Sequence, residues 1–149
     1  MQSTEKEILR HLFSTPGAVA EISELNVKPE LFFEEAHLPT NRMRLLFEMA
    51  LEYHAAYGVL LTRDDLSRVV DTLELAEDKK LELVSAYDEV FLYDAKSPIA
   101  LLVKNLKTRF MNAELRKTLI EGNNLYSTRM NDLPKYLSRQ IYRIEELMA

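Results

Sequence analysis

The sequence predicts an all-α fold, a compact bundle of short helices followed by a long antiparallel helical hairpin. Apolar residues recur at helical spacing along most of the chain, and no stretch of five or more residues alternates with the period of a strand. Only 3 Gly and 5 Pro among 149 residues leave little turn chemistry for a sandwich or barrel of short strands. With 47% hydrophobic residues, the chain can bury one core, but it is too short for two full ones.

The first three elements of the bundle are short. Thr4 begins a capping box with the glutamate three residues later, which opens the first helix. Thr15 followed by Pro16 predicts the start of a second helix, which ends at 26–28. Pro29 then starts a short turn. The apolar residues expected to face inward from these elements are Ile8, Leu9, Leu12, Phe13, Val19, Ile22, Leu31, Phe32 and Phe33.

Three longer helices complete the bundle. Thr40 is the expected cap of the first of them, and Gly58 is its expected left-handed terminator. Thr62 caps a helix over residues 63–72, and the last helix covers residues 77–93. The residues expected to face inward are Met43, Leu46, Phe47, Ala50, His54, Tyr57, Leu66, Val69, Val70, Leu81, Val84, Tyr87, Val90 and Phe91.

The hairpin has two predicted arms. Ser97, followed by proline, begins the first arm, whose apolar pattern continues past Gly122 to about Ser127. Such an arm, with 1.5 Å of rise per residue, would be roughly 43 Å long. Asp132 is the expected cap of the second arm, which is expected to be buried through Leu133, Leu137, Ile141, Ile144 and Met148. One apolar stripe per arm needs a further surface to cover it, so we expect an oligomerisation or docking element; the alternative is that the hairpin folds back on the bundle.

Charge divides the chain at the same place, which predicts a bundle over residues 1–95 and a hairpin over residues 96–149. The first part has 9 Lys and Arg against 19 Asp and Glu, and the second part has 10 against 5. A basic helix can contact a phosphate backbone or an acidic protein, although its basic residues often form only a solvated face. Few aromatic residues lie among them to stack bases, so binding to DNA is expected to be weak. The basic residues concerned are Lys104, Lys107, Arg109, Arg116 and Lys117.

Several kinds of chemistry are not expected from this sequence. It has no Cys, and its three separated glycines build neither a phosphate-binding loop nor a G-x-S-x-G elbow. Glu34 and His37 form a single Glu-x-x-His, whereas a di-iron bundle needs two. His54 is read as a partly buried core histidine. We therefore expect no catalytic residue, cofactor or metal, and the polar, acidic start without an apolar run predicts a cytoplasmic protein.

One further pattern is carried by residues 5–9 with Phe13, 18–22, 27–33, 36–50, 58–66, 102–120 and 132–146. These stretches, in this order, resemble the N-terminal domain of DnaB-type replicative DNA helicases. Residues 27–33 resemble the L-x-P-x-x-F turn of that family, and residues 58–66 resemble its G-x-x-(V/I)-(D/T)-x-x-x-L segment. Two features depart from the family: residues 73–97 are more acidic than its Gly-rich connector, and the family continues through a linker into an ATPase domain.

The resemblance implies a collar domain without catalytic activity. In that family the hairpins pair between subunits of a dimer or hexameric ring, the bundles surround the DNA path, and the outer surface recruits a primase or a helicase loader. ATP hydrolysis would belong to another domain of an ATP-dependent DNA helicase. The residues that would supply packing, within the hairpin or between subunits, are Leu102, Leu106, Phe110, Leu119, Ile120, Leu137, Ile141 and Ile144.

Two other functions fit the same sequence. The C-terminal domain of bacterial primases, which binds this helicase domain, has a similar helical bundle with a hairpin, so the chain could be a helicase-binding adaptor. A small nucleic-acid-binding regulator could instead use the basic residues of the hairpin. The first alternative predicts a monomer that binds a helicase ring, and the second predicts an affinity for DNA that falls steeply with salt.

Overall fold

The computed structural model describes residues 2–149; Met1 lies outside the described residues. Over that range the chain forms seven α-helices and no strand, which confirms the predicted all-α class. Two short 3₁₀ turns, Pro29–Leu31 and Met130–Asp132, lie between helices. The helices are α1 (Thr4–Ser14), α2 (Ala18–Glu24), α3 (Arg42–Tyr57), α4 (Arg63–Asp71), α5 (Glu77–Val90), α6 (Ile99–Thr128) and α7 (Leu133–Met148).

The chain divides into two compact units, Met1–Leu106 and Lys107–Ala149, named unit 1 and unit 2 below. Their border lies inside α6, whereas the sequence predicted a border between bundle and hairpin at residues 95 and 96. The first residues of α6 are built into the core of unit 1, where Ile99, Leu102 and Leu106 are buried.

Three helices of unit 1, α1, α3 and α5, contact one another, while α2 packs on α1 and α4 packs on α5. Aromatic pairs fill the space between them. The ring centroids of Phe32 and Phe47 are 4.5 Å apart, and those of Phe13 and Tyr87 are 4.4 Å apart. The buried hydroxyl of Tyr87 donates to the carbonyl of Leu61 at 2.9 Å, and burial raises its pKa to about 12. The buried core therefore draws on every helix of this unit.

Three of the predicted helix starts are wrong by one or two residues. The α1 cap is Ser3, whose hydroxyl accepts from the backbone of Lys6, because the hydroxyl of Thr4 instead donates to Asn105 at 2.6 Å. The α3 cap is Asn41 in place of Thr40. The start of α2 is Gly17, at a φ of +83°, in place of Thr15. The predicted cap Thr62 and terminator Gly58 are both confirmed.

Helix α5 buries a different side from the one predicted. Leu81 is 69% exposed, while Leu83 and Ala86 are buried together with Tyr87 and Val90. These four positions have the i, i+3, i+4, i+7 spacing of one helical face, which packs against α1, α3 and α4. The sequence pattern contained both faces, and the neighbouring helices decided which one is inside. The helix also ends at Val90, three residues before the predicted end.

Buried polar contacts hold the long connection between α2 and α3. The fully buried carboxylate of Glu5 accepts from the backbone N–H groups of Phe33 and Glu34 at 2.8 and 2.9 Å. Arg42 donates hydrogen bonds to both carboxylate oxygens of Glu35 and to both of Glu89. These bonds raise the pKa of the Arg42 guanidinium, and those to Glu35 have the largest effect. The hydrogen bonds from Arg42 also lower the pKa of the Glu89 carboxyl. This connection is therefore fixed to α1 and α5.

No helix in the described part of the chain has both the length and the apolar character that crossing a bilayer requires.

Candidate interaction surface

Unit 2 consists of the second part of α6, the 3₁₀ turn and α7. Helix α6 runs without interruption past Gly122 to Thr128, as predicted. A Cβ atom placed on Gly122 would lie 3.6 Å from the side chain of Leu133 and 3.8 Å from that of Leu137. Further from the turn, Arg143 of α7 binds Glu114 of α6. The later position on α6, Gly122, faces the start of α7, and the earlier position, Glu114, faces a later residue of α7. The two helices of this unit are therefore antiparallel.

The contact between Glu114 and Arg143 is a polar link between these helices. Glu114 is buried, and its Oε2 accepts from Nη1 of Arg143 at 2.8 Å, while Lys117 lies 3.7 Å from its Oε1. A buried carboxylate is tolerated when charged donors satisfy it in this way. Asp132 is the N-cap residue of α7, as predicted, but its side chain makes no hydrogen bond to the backbone of the helix.

The eight residues predicted to supply packing fall into two groups. Leu102 and Leu106 are buried in unit 1, Phe110 and Ile144 are buried in unit 2, and Leu137 is half-buried. By contrast, Leu119 is 72% exposed, Ile120 is 61% exposed and Ile141 is 50% exposed. Burial through Ile141 and Met148 was expected, but of the predicted α7 stripe, Ile144 alone is buried.

The exposed apolar residues of α6 form a stripe that the sequence analysis identified only in part. Leu115, Leu119 and Tyr126, named the α6 stripe below, are spaced i, i+4, i+11 and therefore lie on one side of the helix. All three are exposed. Leu115 was not among the predicted packing residues, although its spacing from Leu119 was a sufficient signal. Isolated exposed leucines are ordinary, but a stripe of large apolar side chains is typical of an interaction surface.

The predicted basic residues do not form one stripe. Lys104 belongs to unit 1, and Lys117 is paired with the buried Glu114. Arg109 and Arg116, seven residues apart, share a side of α6, whereas Lys107 lies about 160° away from Arg109 at 100° per residue. Arg116 is exposed next to Leu115, so positive charge borders the α6 stripe at that point.

The polar residues considered for catalysis or metal binding have ordinary surroundings. Glu34 and His37 lie in a turn, not on one helical face, and Glu34 accepts from the hydroxyl of Ser3. His54 is half-buried on α3. In residues 2–149 no group of three or more Asp, Glu or His side chains is placed to hold a metal ion.

A strong hydrogen bond in unit 1 joins α3 to α4. The phenol of Tyr53 donates to Asp65 at 2.7 Å, and this bond raises the pKa of Tyr53 and lowers the pKa of Asp65. The ring of Tyr53 also contacts that of Tyr57, with centroids 4.8 Å apart. Sequence reasoning did not find this pair, because its two members come from different helices.

Comparisons with known protein families, with curated proteins and with solved structures find no match to this chain. The features that indicate a function are therefore the exposed apolar side chains of unit 2, the charges beside them, and the order of elements along the chain.

Proposed function

We propose that this chain is the non-catalytic N-terminal collar domain of a replicative DNA helicase, where it joins subunits and docks a primase or a helicase loader during DNA replication. The observation that carries the proposal is the exposure of large apolar side chains in unit 2, namely those of the α6 stripe, Ile120 and Ile141. The resemblance of the element order to that of DnaB-type helicases implies a role for such exposed side chains in subunit association. The bundle-plus-hairpin arrangement is part of the same proposal.

Burial of these side chains would contribute favourable free energy to association. A Leu, Ile or Phe side chain that passes from water to a packed interior gains about 1.5–3 kcal/mol. In a two-fold symmetric contact every residue is buried twice, once from each copy. The α6 stripe, contributed by two copies, therefore provides several favourable contacts against the cost of association.

The acidic and basic parts would have different roles in a collar. Residues 1–95 have an excess of acidic side chains and are expected to avoid DNA. Arg109 and Arg116 share one side of α6, where they could meet an acidic face of a docking protein. The scattered placement of the other basic residues supports protein docking over a continuous nucleic-acid track.

Sedimentation velocity on the whole chain tests subunit association. The variant Leu119→Asp with Tyr126→Asp places two charges on the α6 stripe, and it should be monomeric under conditions in which the wild-type chain associates. A matched control, Val59→Asp with Leu92→Asp, alters two exposed apolar residues of unit 1 and should keep the wild-type mass. Phe110 is unsuitable for this test, because it is almost fully buried and its replacement by Asp would damage the fold.

The outcome of this test is clear in either direction. An unchanged mass for the stripe variant, with helix content preserved in circular dichroism, would contradict association through α6. A wild-type chain that stays monomeric but binds a hexameric DnaB-type helicase in calorimetry would support the second candidate, a primase-type adaptor, which the same uncovered surface favours. Salt-dependent binding to DNA, abolished by Arg109→Glu with Arg116→Glu, would support a nucleic-acid regulator instead.

A further inference from the structure

A long groove runs along α3 in unit 1. Three adjoining cavities form it, with volumes of about 510, 310 and 310 Å³. The first and second share Met49 and Leu73, and the second and third share Leu45 and Leu75. One wall is α3, and the other is formed by α4, the connection after it and the start of α5. Since α3 has 16 residues, the groove is about 24 Å long.

The floor of the groove is apolar and accessible to water. Leu73 and Leu75, in the connection between α4 and α5, are 38% and 39% exposed. Leu45 and Met49 are half-buried on the facing side of α3. A ligand with apolar side chains could therefore remove the exposed parts of these residues from water.

The rim of the groove is acidic at its middle. Glu48, Glu52 and Glu74 line the central cavity, which no Lys or Arg lines. Glu48 is paired with Arg44 at 3.0 Å. Within the described residues, Glu52 and Glu74 have no such ion pair, so two carboxylates on opposite walls are available to a cationic partner.

We propose that this groove binds one amphipathic helix of a partner protein, with Leu, Ile or Met residues along one side and Lys or Arg residues flanking them. The inference deepens the proposed function, on which it rests, by giving the chemistry of the partner segment that would dock on unit 1. The length of the groove matches about 16 residues of helix. A bound helix satisfies its own backbone hydrogen bonds, so it needs none from the groove. The carboxylates of Glu52 and Glu74 complement the flanking cations.

Two synthetic peptides of 16 residues test the proposal. Both have the same leucine-lined side; one has arginines beside it, and the other has glutamates at the same positions. The arginine peptide should bind the whole chain at least about tenfold more tightly in fluorescence anisotropy, and the difference should shrink as salt screens the rim. Equal affinities for the two peptides, or no binding by the arginine peptide, would overturn the proposal.

Charge reversal locates the binding site. The variant Glu52→Lys with Glu74→Lys should lose the arginine peptide and prefer the glutamate peptide. The control Glu21→Lys with Glu24→Lys makes the same change of net charge on exposed residues of α2 and should keep the wild-type preference. If the control changes the preference as much as the groove variant does, the peptides follow net charge, and the groove is not the site.

The same variants separate this inference from the proposed function. The groove variant should keep the sedimentation mass of the wild-type chain, because it leaves the α6 stripe unchanged. The stripe variant, Leu119→Asp with Tyr126→Asp, should keep the peptide preference. Loss of peptide binding with an intact assembly, or the reverse, therefore identifies which of the two surfaces has failed.

Discussion

Helices α3 and α7 have the same length, 16 residues, but bury very different numbers of side chains. Four residues of α3 are buried, because α1, α5 and the first 3₁₀ turn all contact it. The more regularly amphipathic α7 buries only Ile144 within the described chain. An amphipathic pattern therefore identifies the apolar side of a helix, but the number of neighbouring elements decides how much of that side is covered.

The largest expected effect is a cavity in the core of unit 1. Phe47→Ala removes a fully buried ring that stacks on Phe32 and should lower the free energy of unfolding by about 3–5 kcal/mol. Ile141→Ala on α7 should change the free energy of unfolding of the single chain by no more than about 0.5 kcal/mol, because the side chain is half-exposed. Urea denaturation followed by circular dichroism measures both. Equal losses would remove the contrast between α3 and α7.

The buried carboxylates of the two units provide the second comparison. Glu5→Ala leaves two backbone N–H groups without their charged acceptor and should cost about 3 kcal/mol. Glu114→Ala should cost about 1 kcal/mol, because its partner Arg143 is half-exposed and can be hydrated. The same denaturation experiment measures both. A larger loss of stability for Glu114→Ala would show that the contact between Glu114 and Arg143 stabilises the fold more than the contact between Glu5 and the backbone.

Replacing a glycine by alanine should change the stability in opposite directions in the two units. Gly122→Ala should stabilise by up to about 1 kcal/mol, because alanine favours the helix and its Cβ makes ordinary contacts with Leu133 and Leu137. Gly58→Ala should destabilise by about 1 kcal/mol, because its φ of +71° is strained for any side chain. Thermal unfolding should give a higher Tm for the first variant and a lower Tm for the second. A lower Tm for Gly122→Ala would mean that α6 and α7 pack too closely for a methyl group.

The smallest expected effect concerns pH. Because Arg42 lowers the pKa of Glu89, the unfolded state binds a proton more readily than the folded state. The contribution of this pair to folding stability is complete above the ordinary pKa of Glu, about 4.3. It is lost as the pH falls through the lower pKa that Glu89 has in the folded state. Solvent screening keeps it below about 1 kcal/mol. Between about pH 5 and pH 3, stability should therefore fall less steeply in Glu89→Gln than in the wild-type chain. Parallel pH profiles would contradict this role.

Much of the local structure could be predicted from local signals. Pro29 predicted the 3₁₀ turn, Gly58 the end of α3, and Thr62 the start of α4, because each acts through its own backbone or side-chain geometry. The starts of α1 and α3 were misplaced by one residue, since Ser, Thr and Asn can all cap a helix. Distant contacts decide between them: Thr4 is engaged by Asn105.

The candidate surfaces were predictable to different degrees. Leu119, Ile120 and Ile141 were identified from their apolar spacing, but their exposure could not be, because the same spacing is found on a buried face. The groove in unit 1 could not be predicted, since Met49 and Leu73 become neighbours only when α3 and α4 have packed. A cavity forms between two packed surfaces, and the apolar pattern of one helix describes only one of these surfaces.

The sequence by itself determined that this chain is helical and where its helices lie to within a few residues. Those properties depend on backbone geometry, capping and spacing within a few residues. Tertiary structure alone decided that α5 turns Leu83 rather than Leu81 inward, that Glu5 holds the chain at Phe33 and Glu34, and that the α6 stripe stays uncovered. Burial depends on residues far apart in the chain, which a periodic pattern does not contain.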